Sequence, residues 1–136
     1  MENHAEKPMT FFRFEDLRVY HKALDYVEWV HANTALFPAN ELQTLTIKFV
    51  NAAQAIALQI AEGSSRNKTQ FIYYLKMAKS SIRECVVYTA IGEGLKYMSE
   101  ADIDHSRGQL MELTKMIGAL IGSLQRANHG DGYDDK

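Results

Sequence analysis

Along the chain, long stretches in which apolar residues recur every three or four positions alternate with short polar or proline- and glycine-bearing breaks. That period belongs to amphipathic helices, and no useful length shows the two-residue alternation of a strand. Four helices are predicted. From about Glu15 to Thr34, Leu17, Tyr20, Leu24, Val27 and His31 make one face, widened by Val19, Ala23 and Val30. At about 100° per residue, Tyr26 and Trp29 fall on the opposite side with Arg18 and Lys22. Leu36-Phe37-Pro38-Ala39-Asn40 then breaks the pattern, since proline disfavours helix in the residue before it.

The stretch from Phe49 to Arg83 with Glu84 organises the rest. No charged side chain occurs between Phe49 and Ala61. The second helix is predicted from about Glu41 to Glu62, with Leu45, Phe49, Ala52, Ala53, Ile56 and Ile60 inside and Ala55, Ala57 and Ala61 on other faces. A helix with so few charges all round is buried on more than one side, which points to an oligomer. Gly63 is predicted as a left-handed helix stop, and Asn67 or Ser65 as the cap of the next helix. The third helix, from about Lys68 towards Lys96, has Phe71, Leu75, Ala78, Ile82, Cys85 or Val86, Thr89 and Gly92 as its stripe. Ser99-Glu100-Ala101-Asp102 resembles a capping box and opens the fourth helix. There Ile103, Leu110, Leu113, Ile117, Leu120, Ile121 and Leu124 repeat near heptad spacing, and Gly118 and Gly122 leave a smooth strip. Short connections make an all-α, up-down-up-down antiparallel four-helix bundle the simplest architecture, assembling as a homo-oligomer. Residues 1–10 read as a polar tail, 11–126 as the bundle, and 127–136 as a disordered acidic tail.

Composition narrows the picture further. At 136 residues and 46% hydrophobic, the chain is one ordered domain. Residues 11–126 carry 13 basic and 12 acidic side chains, so the body offers no global argument for a polyanion partner. The lone Cys85, among Ile82, Val86 and Val87, reads as a small buried residue. Its apolar setting raises the thiol pKa and argues against a nucleophile. The first ten residues lack a signal-peptide pattern, and the charge-free run is too short to span a bilayer. A cytoplasmic protein with no membrane role is expected.

Catalytic chemistry is largely missing from the pattern. Glu28-Trp29-Val30-His31 has the Glu-x-x-His spacing of a di-iron bundle, with both side chains expected near the inner face. The second pair is lacking, because Asp102-Ile103-Asp104-His105 puts Asp where Glu belongs and lies in a first turn. Glu62 and Glu84 are the only further recruits. No Ser-His-Asp set, phosphate loop or CxxC occurs, so neither an enzyme nor a metal or other cofactor is expected.

One local charge feature remains. Arg66, Lys68, Lys76, Lys79 and Arg83 lie between Glu62 and Glu84 with no acid among them. Lys68, Lys76, Lys79 and Arg83 share one helical face, with Ile72 filling the gap and Tyr73 and Tyr74 flanking it. Such a stripe suits contact with a phosphate backbone, and it also suits an ordinary solvated helix face. Tyr26 and Trp29, outside the predicted stripe, are candidate subunit contacts; a Trp lying along its own helix is the alternative.

Phe14-x-x-Leu17-Arg18-Val19-Tyr20-x-Lys22-Ala23, Ala52-Ala53 followed by Ile60-Ala61-Glu62-Gly63, and Arg66 resemble the 23S rRNA intervening-sequence protein family, also labelled S23 ribosomal protein. Phe71, Leu75, Ala78, Ser80-Ser81, Glu84 and the Leu95-to-Glu100 turn extend the resemblance over about residues 12 to 125. It implies an up-down four-helix bundle forming a homopentamer. It also implies kinship with the accessory variability protein of diversity-generating retroelements, a basic pentamer that binds nucleic acid and a reverse transcriptase. The chain departs from the family where Val50-Asn51 stand in place of a basic pair, Ala57 in place of Pro and Gln59 in place of Asn. The resulting expectation is a non-enzymatic homo-oligomer that binds RNA or DNA through the third-helix stripe. The rival is a scaffold that docks a protein partner, such as a polymerase or reverse transcriptase, without touching nucleic acid.

Overall fold

Residues 11–130, which the computed structural model describes, form helices and turns and contain no strand. The four long helices are α1 (Arg18–Thr34), α2 (Ile47–Ser64), α3 (Lys68–Gly94) and α4 (Glu100–Gly130). A 3-10 turn over Arg13–Asp16 precedes α1, and a second over Ala39–Glu41 passes through a π turn, Leu42–Thr46, into α2. Helical backbone thus starts near Glu41 as the pattern predicts, but in tighter and looser turns than an α-helix. Consecutive helices pack on each other and α1 also packs on α4, consistent with a helical bundle, and α2 and α3 share the most extensive contact. The fourth helix continues to Gly130, past the boundary expected at Arg126. The tails at 1–10 and 131–136 lie outside the described residues.

The core follows the predicted stripes on three helices. Phe49, Ala52, Ala53, Ile56 and Ile60 of α2, Leu75, Ala78, Ile82, Cys85 and Thr89 of α3, and Ile103, Leu110, Leu113, Ile117 and Ile121 of α4 are buried. On α1 the register differs. The buried ladder is Val19, Ala23, Tyr26, Val30 and Thr34, whereas Leu17, Tyr20, Leu24 and Val27 are only half-buried and His31 is exposed. Val19, Ala23 and Val30, expected at the edge of the face, stand at its centre, so the buried ladder is turned by about 100°, one residue's rotation, from Leu17, Tyr20, Leu24 and Val27.

Tyr26 is therefore not a subunit contact. It is 0% exposed, and its hydroxyl lies 2.8 Å from Ser106 Oγ of α4. Ser106 Oγ in turn lies 2.8 Å from Thr89 Oγ1, which donates to the Cys85 carbonyl. A buried phenol needs a partner for its hydroxyl, and this three-helix chain supplies it. Trp29 is half-buried between Tyr26, with ring centroids 5.9 Å apart, and His105, at 5.1 Å. Its stacking partners lie within the subunit.

The two main turns use glycine differently from the expectation. Gly63 sits inside α2 and is not left-handed; α2 ends on Ser65 at φ −92°, ψ 3°. A Cβ on Gly63 would stand 2.7 Å from Tyr74 Cβ and 3.0 Å from Phe71 Cδ1, so its missing side chain lets α2 and α3 close. Asn67 caps α3 by accepting a hydrogen bond from Gln70 N at 3.0 Å. The left-handed residue is Lys96, at φ 65° after α3. Its N–H bonds Glu93 O and that of Tyr97 bonds Gly92 O, the paired bonds of a Schellman stop. Ser99 Oγ accepts from Asp102 N at 3.1 Å, the predicted cap of α4.

Candidate nucleic-acid interface

The five cations of the predicted stripe separate in three dimensions. Lys68, Leu75, Ile82 and Thr89 are spaced by seven, so the heptad that buries the last three places Lys68 on the same inward face. Lys68 is accordingly 2% exposed and does not belong to a solvent-facing stripe. Arg66 lies before α3 and is held by Glu62, with Nε and Nη2 donating to Glu62 Oε2 at 2.9 and 2.6 Å. That bond raises the guanidinium pKa further, so the cation is permanent but locally neutralised. Its Cζ also lies 5.3 Å from the Tyr74 ring centroid.

Lys76, Lys79 and Arg83 are the cations that α3 keeps together. Spaced at three and four, they occupy one face of the helix; Lys76 and Arg83 are exposed and Lys79 is half-buried. Arg83 Nη2 donates to Ser80 Oγ at 3.1 Å, which fixes the guanidinium along the helix and leaves its other donors. Tyr73, also exposed, lies about 60° from Lys76 around the helix, whereas Tyr74 lies about 160° away. Tyr74 instead packs by Gly63 under Arg66, so it does not flank the three cations.

Two cations that the sequence reading missed lie on α4. Arg107 lines a groove of about 600 Å³ between α3 and α4, with Ile82, Val86, Asp104, Gly108, Met111 and Thr114 among its walls. Lys115 is exposed four residues beyond Met111, on the same side of the helix. No Lys or Arg lies within seven residues of either in the chain.

Other candidate chemistry does not assemble. Glu28 and His31 both face outward, not toward the inner face; His31 Nε2 lies 3.3 Å from Gln54 Nε2. Among the described residues no three His, Cys, Asp or Glu side chains come together in a way that could hold a metal ion. Burial, reinforced by the charge of Glu84, pushes the Cys85 thiol up to about 12, which keeps it protonated. Among the described residues no helix is long and apolar enough to cross a membrane.

The described residues thus form an all-helical bundle with Lys76, Lys79 and Arg83 on one outer face of α3. The family profile described as 23S rRNA-intervening sequence protein matches residues 15–119, and the chain belongs to that family. No curated protein matches the chain.

Proposed function

We propose that this chain is a non-enzymatic, homo-oligomeric up-down-up-down bundle of the cytoplasm that binds the backbone of RNA or DNA. The observation that carries the proposal is the clustering of Lys76, Lys79 and Arg83 on one α3 face, in a stretch free of acids from Arg66 to Arg83. The family's association with 23S rRNA intervening sequences supports the same reading. Each subunit offers few phosphate contacts, so useful affinity requires several copies, and the resemblance to pentameric relatives supports a ring of five. The surface that supports assembly is the outer side of α2, where Leu58 and, about three turns away on the same face, Ile47 are exposed, and no longer Tyr26.

The test is binding to labelled oligonucleotides across a salt series. Log affinity should fall linearly with log salt, and Lys76→Glu with Lys79→Glu should abolish binding while leaving the melting temperature intact. Binding indifferent to both salt and the charge reversals sinks the proposal. A protein-docking scaffold is the second reading. It is favoured by a groove of about 600 Å³ where α1 ends and α2 begins, lined by Pro38, Leu42, Ile47 and Val50. Val50 and Asn51 stand there in place of a basic pair. Co-purification of a defined protein with no shift of nucleic acid would select that reading.

A further inference from the structure

We infer that the groove between α3 and α4 is a track for one nucleic-acid strand, with α4 supplying its second cationic wall through Arg107 and Lys115. This rests on the nucleic-acid reading above and assigns it a place and a strandedness.

The geometry starts from shared register. Ile82 and Val86 line the groove on the α3 side, and Lys79 precedes them by three and seven, on the same side of the helix. Lys76 and Arg83 sit next to Lys79 at three and four, which puts the α3 row along the groove's outer lip. Across the groove, Arg107, Met111 and Lys115 form a row at successive fourth positions of α4. Arg107 and Met111 are groove-lining, and Met111 is 56% exposed. Apart from its chain neighbours and its own helix backbone, no atom lies within 4 Å of where a Gly108 Cβ would stand, so the exposed α4 wall is open to close approach by a sugar-phosphate chain. Thr114, also lining the groove, spends its hydroxyl on Leu110 O at 2.9 Å and presents its methyl. The lining thus holds the apolar Ile82, Val86, Leu110 and Met111 with one cation, Arg107, and one acid, Asp104, while Lys79 and Lys115 continue the two rows beyond it.

Strandedness follows from width. Adjacent helix axes lie about 8–10 Å apart, so both rows reach a single chain laid between them. A duplex keeps its bases stacked inside and can lay only one phosphate row along the groove, whereas a single strand also brings its bases to the apolar lining.

The experiment uses the full chain and a labelled oligonucleotide, single-stranded and duplex, over a salt series. Arg107→Glu with Lys115→Glu should weaken single-strand binding by at least ~10-fold and flatten the salt slope by about 1.4, two contacts at about 0.7 each. Arg18→Glu with Lys48→Glu, exposed cations on α1 and α2 with the same change of net charge, should leave the slope unchanged. Asp104→Asn should shift affinity the other way and tighten binding, an outcome that misfolding cannot imitate. If the α4 pair behaves like the control while the Lys76 and Lys79 reversals abolish binding, the contact is one-sided and the track is wrong, although the nucleic-acid function stands. Duplex binding as tight as single-strand binding also overturns the track. If the Lys76 and Lys79 reversals change nothing, the function itself fails.

Discussion

The α2–α3 seam and the α1–α4 seam close the same bundle by opposite means. Between α2 and α3 the contact is apolar and close: Phe49 meets Tyr88 with ring centroids 5.8 Å apart, and Gly63 leaves no room for a Cβ beside Tyr74. Between α1 and α4 the contact is polar. Lys22 Nζ lies 3.2 Å from Glu112 Oε1, Trp29 leans on His105, and Tyr26 shares its hydroxyl with Ser106. Asn33, four residues after Trp29, and Gln109, three after Ser106, continue the same two faces. Their buried Oδ1 and Oε1 have no hydrogen-bond partner among the described residues. An apolar seam gains from area removed from water and tolerates little added volume. A polar seam specifies register through its pairings and gains less from burial.

The largest test of this contrast is Tyr26→Ala. If Tyr26 is a core anchor of the polar seam, its truncation should cost about 3–5 kcal/mol in urea unfolding, as for a buried aromatic. A loss of oligomer with unchanged subunit stability would return Tyr26 to the surface and break the comparison. Next comes Gly63→Ala, which should cost about 1–3 kcal/mol despite alanine's higher helix propensity, because Tyr74 Cβ cannot rotate away. A neutral or raised melting temperature would show that the apolar seam is looser than described.

Alkaline pH sharpens the polar side. The Cys85 thiol is raised by burial to about 12, from an ordinary value near 8.5. The Tyr26 phenol is raised as well, by burial first. Groups raised in the fold give stability that is complete below their unfolded pKa and lost as pH rises, since the unfolded chain ionises first. Stability should therefore fall above about pH 8.5, by at most about 1.4 kcal/mol per pH unit for the thiol. Cys85→Ala should flatten that limb, and an unchanged slope would count against a thiol held protonated by burial. Smallest is the Lys22–Glu112 pair, with side chains 30% and 44% exposed. A double-mutant cycle should give about 0.2–1 kcal/mol, reduced by salt.

The same contrast explains what could be read in advance. Stripes such as Phe49, Ile56 and Ile60 or Leu75 and Ile82 announce their seam, because apolar residues there have only one favourable place to go. On α1 the expected face included Val19, Ala23 and Val30 but was centred on the more hydrophobic Leu17, Leu24 and Val27. Tyr26 and Thr34 look weak as core residues until Ser106 and the Val30 carbonyl satisfy their hydroxyls. The candidate interface divides likewise. Lys76, Lys79 and Arg83 were legible from local spacing. Lys68 was misplaced because a spacing of four and eight fits the cationic row while a spacing of seven fits the core. Arg107 and Lys115 carry no local signal at all, being more than twenty residues from Arg83 in the chain.

By itself, then, the sequence determines four helices, the apolar stripes of α2, α3 and α4, a cap at Asn67 or Ser65 and the membership of a family, because periodicity and capping act over a few residues. Tertiary structure decides which way α1 turns, which glycine marks a close approach rather than a left-handed stop, and which cations share a surface. Those depend on partners far away in the chain, whose polar atoms and volumes are matched only when the helices pack.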